Sequence, residues 1–594
     1  ATNEAKEATT TSLQFVNMAL MIFAIVALVV GSFVIYNTFS ITVAQRTKET
    51  AMLRAIGAKR RQVMRSIRFE ALVTGVIASA AGVAVGIALA GGLRTLLSAF
   101  GLNVPSGSAV VEPRTIVVSM VTGTIVTLVA AWLPARRAAK VAPIEALRQS
   151  AVEATAHSKR RVVIGALTTA AGALFIVQGL SGAGAGTVGL GALAVFFGVA
   201  MLGPVIARRF ARIVGWPLPR IRGTAGTLAR ENAMRNPRRT AATSSALMIG
   251  VALVAFITVF AASAKASMET SVDRAMRTDF IVTTQFGMGG LSPEVAQRIA
   301  ELPETADVTS LRFFDAKVGG SSTQASAVDP ARVGASLEMD IRDGRITDLG
   351  SSGVAVQADV AKQKNIHVGD TVTMFFPETG DQKLTVAAIY GIKEPLGDYA
   401  ISMQTFDANI ATHVDNDVVV SAAPGVSKAQ ARSAIQSALK DYPTAKLMTE
   451  AEFKGSMANR IDQILNLVYV LLAMALVIAL FGIANTLALS VFERTREFGL
   501  LRAVGMSRSQ VRSTVRWESV LIALLGTSLG TLIGLGFASS LVHALESQGF
   551  NTFTIPTRQL LGIVVLAAVA AVGAAALPAR RAARLDVLKA ITTD

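Results

Sequence analysis

The sequence predicts an α-helical membrane protein, with nine spanning helices in this stretch of chain, that carries one extracytoplasmic α+β domain. Three observations predict it. Nine apolar runs approach the ~20 residues that a helix needs to cross a bilayer. Lys and Arg collect in alternate loops between those runs. Residues 265–463 read instead as soluble sequence. Composition agrees: 52% of the 594 residues are hydrophobic and 16% are charged, a balance that excludes a disordered chain.

The apolar runs lie at residues 15–40, 71–93, 116–133, 162–180, 188–206, 244–264, 464–487, 519–541 and 560–577. The first is too long for a signal-peptide core, and its Lys6 is flanked by Glu4 and Glu7. Basic residues from Arg46 to Arg68, Arg136 to Arg161, Arg208 to Arg239, Arg494 to Arg516 and Arg580 to Lys589 fall on one side, which the positive-inside rule makes cytoplasmic. This placement accounts for the net charge of +17. No aromatic-interleaved basic face points to nucleic acid. Residues 265–463 then lie outside, with strand-like runs at 280–284, 354–356, 371–376, 384–389 and 418–420 and helix-like runs at 293–302 and 428–439.

The chain repeats itself. At an offset of 448, Arg46-Thr47-Lys48-Glu49 matches Arg494-Thr495-Arg496-Glu497, and Leu53-Arg54-Ala55-Ile56-Gly57 matches Leu501-Arg502-Ala503-Val504-Gly505. Asn37 matches Asn485, and Leu133-Pro134-Ala135-Arg136-Arg137-Ala138-Ala139 returns as Leu577-Pro578-Ala579-Arg580-Arg581-Ala582-Ala583. The expected organisation is a first permease unit at 1–150, a joining hairpin with a basic linker at 151–240, the first helix of a second unit at 241–264, the external domain at 265–463 and the rest of the second unit at 464–594. The second copy reads helix, external domain, three helices, whereas the first begins with its three helices. The expectation is therefore a ten-helix protein with a further helix and external domain upstream of Ala1.

Each Asn-bearing run leads into a helix–turn–helix elbow whose apolar edge is too small for a core: Met52, Leu53 and Ile56, or Leu500, Leu501 and Val504. Such an edge among charges can lie on anionic headgroups or dock on a cytosolic partner. Two copies on related halves favour a symmetric, dimeric partner. The residues placed at this interface are Arg46, Glu49, Leu53, Arg54 and Gly57, with Arg494, Glu497, Leu501, Arg502 and Gly505. Glu70 and Glu518 are expected to pair with the elbow arginines. Asn37 and Asn485 are expected to bond between helices in the membrane, and no carboxylate sits near a helix midpoint to relay protons.

The block from Gln45 to Ala58 and its twin from Glu493 to Met506 resemble the coupling-helix signature of FtsX/MacB-type ABC transporter permeases. The two Leu-Pro-Ala-Arg-Arg-Ala-Ala endings are similar to that family's last helix, and 352–376, with Val-Gly-Asp-Thr-Val at 368–372, and 384–391 are similar to its periplasmic domain. The resemblance implies a multi-pass permease of the bacterial inner membrane. A separate ATPase dimer, with ATP and Mg on that partner, would engage the elbows and relay motion to the external domain, to export or extract a lipoprotein, lipid or peptide. An alternative is a signalling scaffold that switches a cell-wall hydrolase or sensor without moving cargo. No cofactor, metal or catalytic residue is expected in this chain. It has no phosphate-binding Gly-x-x-x-x-Gly-Lys-Ser/Thr, no Cys and four scattered His, and Gly182-Ala183-Gly184-Ala185-Gly186 lacks the lysine that phosphate binding needs.

Overall fold

The computed structural model describes residues 46–99, 111–138, 159–284, 290–546 and 549–584, together with part of 21–45. They form two compact units: Ala1–Phe260, Gln463–Leu541 and Ile555–Asp594 in one, Ala261–Asp462 and Val542–Thr554 in the other.

The first unit is helical: α1 (Thr47–Ala55), α2 (Arg60–Ala99), α3 (Pro113–Ala138), α4 (Lys159–Gln178), α5 (Ala185–Val214) and α6 (Leu218–Arg235), then most of α7 (Pro237–Ala275). Later in the chain α13 (Glu450–Glu493), α14 (Thr495–Ala503), α15 (Arg508–Ala544) and α16 (Thr557–Ala583) complete it. Among the described residues seven helices are long and apolar enough to cross a membrane: α2, α3, α4 with the turn after it, α5, α7, α15 and α16. Of the two other expected spans, 15–40 falls largely outside the described residues and 464–487 lies within the helix α13. The helices outrun the apolar stretches because polar first turns, such as Arg60–Arg61 and Arg508–Ser509, continue the same helix.

Small residues set the packing of the second repeat. Lipid offers no hydrophobic drive between helices, so close backbone contact holds them together. On α15, Gly526, Gly530 and Gly534 run against α7. A Cβ at these positions would lie 2.6 Å from the Ser244 carbonyl oxygen, 2.8 Å from that of Met248 and 2.5 Å from that of Ala252. Leu247, Val251, Ile483, Leu487 and Ile522 fill the layer beside this contact, closed by Ala567, Ala571 and Ala575 of α16.

The second unit is a mixed α+β domain on two helical stalks, the last turns of α7 and the first of α13. Its ten strands are β1 (Phe280–Thr284), β2 (Thr305–Val318), β3 (Ser321–Val328), β4 (Ile341–Gly344), β5 (Gly353–Gln357), β6 (Thr371–Phe376), β7 (Gly380–Tyr390), β8 (Tyr399–Ser402), β9 (Asp417–Ala422) and β10 (Ala445–Thr449). They lie in the order β10-β1-β9-β2-β3-β8-β5-β7-β4, with β6 pairing β2 and β7. Among the described residues only β3–β8 and β5–β7 run parallel. Strand alternation divides the core: Phe280, Val282, Val418 and Val420 face helices α8 (Pro293–Ala300) and α12 (Lys428–Ala438), while Ile281 and Val419 face the opposite cluster with Leu311, Tyr390 and Phe453.

The stalks enter this sheet side by side, because β1 follows α7, β10 precedes α13, and the two strands pair antiparallel with Phe280 opposite Thr449. Lys265 pairs with Asp462 at 3.1 Å, and Lys454 pairs with Asp273, so the stalks are also tied to each other. A third attachment is a strap, residues 549–554 of the segment Val542–Thr554. Ser263 Oγ accepts from the Thr554 N–H at 3.1 Å and donates to its carbonyl at 3.4 Å. Ser267 Oγ does the same for Thr552 at 2.9 and 3.3 Å. Two residues of extended chain advance ~6.7 Å and four of helix ~6 Å, so strap and stalk keep register over this length.

Candidate functional site

The two elbows share one backbone design. Each begins with a nine-residue helix, α1 or α14, closed by a glycine in the left-handed region: φ +108 at Gly57 and +107 at Gly505. The Gly57 N–H donates to the Arg54 carbonyl at 3.1 Å and the Ala58 N–H to that of Leu53 at 2.9 Å. The Gly505 and Met506 N–H groups bond Arg502 and Leu501 at 3.1 and 2.9 Å. This crossed pair satisfies the last carbonyls of a helix and needs a residue without Cβ at the turn. The following helix is capped alike in both copies, Gln62 Oε1 accepting from the Lys59 N–H and Gln510 Oε1 from the Ser507 N–H, each at 2.8 Å.

The outermost residue of each elbow is a β-branched apolar one: Ile56 is 84% exposed and Val504 88%. Met52, Leu53 and Leu500 are exposed beside them, and Arg54 and Arg502 are half-buried on the same short helices. Leu501 turns inward instead, onto Phe498, Val511, Val515, Ala579 and Ala582, so the repeated Ala-Ala ending of α16 packs beneath the second elbow. Ala51, Val63 and Ala135 are buried at the matching places of the first.

Ion pairing follows the repeat but its surroundings do not. Arg46 Nη1 donates to Glu70 at 3.0 Å, with both side chains exposed, 56% and 42%. Arg494 is 11% exposed and Glu518 9%, their closest approach being 3.6 Å. Arg494 also donates to Asn232 Oδ1 at 2.9 Å and to Glu497 at 2.8 Å, and its guanidinium stands 5.0 Å from the Phe498 ring centre. Asn232 Nδ2 in turn donates to Glu518 at 3.5 Å. Glu49 and Glu497 are exposed in the first turns of their helices, where an acid favours the helix N-terminus.

Sequence reasoning missed Asn232. The segment that carries it reads as basic linker but folds as α6, with Leu218, Ala225, Gly226, Ala229, Asn232 and Ala233 buried. The recurrence of small residues along one helical face was the signal available. In the membrane Asn37 lies outside the described residues, while Asn485 Nδ2 donates to Thr38 Oγ1 at 2.9 Å. Asn485 and Thr38 occupy adjacent places of the two copies, so the repeats meet at a polar contact between helices.

An FtsX-like permease C-terminal family model matches residues 21–143 and again 469–587, and a MacB-like periplasmic core domain model matches 240–438. An uncharacterized ABC transporter permease protein of Mycobacterium tuberculosis is 23% identical over 608 residues, spanning 96% of this chain and 69% of that protein. The macrolide export ATP-binding/permease protein MacB of Psychrobacter cryohalolentis is 24% identical over 390 residues, 60% of this chain and 57% of the relative's length. Among solved structures, the periplasmic region of MacB from Actinobacillus actinomycetemcomitans is 13% identical with a TM-score of 0.26, covering 32% of this chain and 96% of that one. Two FtsX-like units flanking a MacB-like periplasmic core, on apolar helices of bilayer length, make this chain a multi-pass inner-membrane protein that belongs to the FtsX/MacB-type ABC transporter permeases.

Proposed function

We propose that the paired elbows dock a separate dimeric ATPase and that the chain couples ATP hydrolysis there to motion of the extracytoplasmic domain, for export or extraction of a lipoprotein, lipid or peptide. The carrying observation is that both elbows present a β-branched side chain, Ile56 or Val504, more than four-fifths exposed on a backbone turn repeated hydrogen bond for hydrogen bond. An apolar knob held on a fixed turn suits insertion into a partner's cleft. Two such knobs on related halves suit two identical clefts. A relative named for macrolide export supports the outward direction of transport.

The test is co-expression with candidate ABC ATPases from the source genome and reconstitution in proteoliposomes. Ile56→Asp with Val504→Asp, and separately charge reversal at Arg54 and Arg502, should abolish permease-stimulated hydrolysis while the protein stays in the membrane. Retained stimulation in both variants would refute the docking assignment. Depletion of a cargo from the outer face by the wild type distinguishes transport from a signalling scaffold that moves nothing.

A further inference from the structure

The second unit encloses a cavity of about 420 Å3 between its two stalk helices, the underside of the sheet and the strap. This volume falls within the ~300–1,000 Å3 typical of small-molecule sites. Its stalk walls come from single helix faces, Met268, Val272 and Met276 of α7 opposite Phe453, Met457 and Ile461 of α13, each set four residues apart. Phe313 of β2 and Phe550 of the strap add two more rings. Methionines adapt to irregular apolar shapes, and aromatic faces attract cations.

The charge of the lining has one sign. Glu394 and Asp417 border the cavity, and among the described residues no Lys, Arg or His does. Cations close by in sequence are engaged elsewhere: Lys393 with Asp398 at 2.8 Å, Lys265 with Asp462 at 3.1 Å, and Lys454 with Asp273 and Glu450. Glu394 forms no hydrogen bond or ion pair among the described residues. Its side chain lies along the strap, where a Cβ on Gly549 would sit 3.8 Å from Oε1. An apolar enclosure with acidic groups and no base complements a ligand of apolar body and positive charge, and it repels fatty-acid and phosphate head groups.

We propose that this cavity binds an apolar organic cation, a compact body of rings or short chains bearing one amine or permanent positive charge, lodged between the stalks with its charge against Glu394. The site is independent of the docking assignment, since it needs neither ATPase nor hydrolysis.

The test uses the full chain in nanodiscs and two probes of equal shape and opposite charge, tetraphenylphosphonium and tetraphenylborate, with empty nanodiscs as the partition background. Saturable binding of one tetraphenylphosphonium per chain is expected, with no saturable tetraphenylborate. Glu394→Gln should weaken the cation at least tenfold, and Glu394→Lys should invert the preference. Met268→Trp should abolish binding by filling the space, with the two rim variants serving as controls should it fail to fold. No saturable cation binding, equal binding of both probes, or unchanged affinity in Glu394→Gln would each overturn the proposal.

Discussion

Removing the elbow arginine should have very different consequences in the two repeats, although the motif around it recurs. Arg494 and Glu518 are nearly excluded from solvent, and Asn232 and Glu497 take further donors of the same guanidinium. Arg494→Met leaves the Glu518 carboxyl without its cation in that enclosure, a change worth about 3–5 kcal/mol. Arg46→Met removes a pair whose members are each about half exposed, worth about 0.2–1 kcal/mol. Replacing both members of the buried pair, Arg494→Met with Glu518→Leu, removes the stranded carboxyl and should restore most of the loss. Reversible unfolding in mixed detergent and sodium dodecyl sulfate micelles, run as a double-mutant cycle for each repeat, measures the two couplings. A coupling above about 2 kcal/mol is expected in the second repeat and below about 1 in the first. Equal couplings would refute the argument that burial by α6, and not the repeated motif, sets the energetics.

Gly505→Val forces a β-branched side chain to adopt φ +107, at a cost of at least about 1 kcal/mol; stimulated ATPase activity should fall while membrane insertion, followed by fractionation, is unchanged. Gly530→Val drives a side chain into the Met248 carbonyl and should destabilise by about 1–3 kcal/mol. Gly82→Val on α2, where no described atom lies within 4 Å, should be silent in the same unfolding assay. Burial would raise the Asp279 carboxyl, but bonds from Lys428 and the Ala422 N–H outweigh it and hold the group below its ordinary value. A lowered folded-state pKa gives stability that is present above the unfolded value of ~3.9 and is lost as pH falls through the folded value. Asp279→Asn should therefore cost about 0.2–1 kcal/mol at neutral pH and flatten the acid limb of the unfolding curve.

Elements whose side chains share one environment were legible in the sequence. Strands β1, β6 and β9 are runs of Val, Phe, Thr and Met that fit a pleated surface, and the α12 helix is announced by the Ser427 to Gln430 capping box. Strands β2 and β3 were not. Thr305–Val318 mixes Asp, Arg and Lys into its pattern, because much of its length is only half-buried, and Ser321–Val328 is mostly small and polar. The elbows were legible because their geometry is local, set by a glycine three residues beyond an arginine. Their inequality was not: Leu53 and Leu501 occupy the same repeat position, yet one is exposed and the other packs on Phe498. The first copy has Thr50 where the second has Phe498, so Leu53 lacks that packing partner. The Asn232 contact to Arg494 comes from α6, a segment outside the repeat, and comparison of the copies cannot reveal it.

The serine row on α7 has a consequence for how the strap can travel. Ser263 and Ser267 each clasp one strap residue through both its N–H and its carbonyl, at positions that are almost wholly buried. A small slide along the stalk would leave two hydroxyls and two amides unanswered, at about 1–3 kcal/mol for each orphaned group. The next clasp of the same chemistry lies one turn further on, because Ser271 continues the spacing, a step of ~6 Å. The strap and its stalk are built as a detent would be: displacement by whole notches would cost least, and a gradual pull would be resisted until one notch is lost and the next is taken.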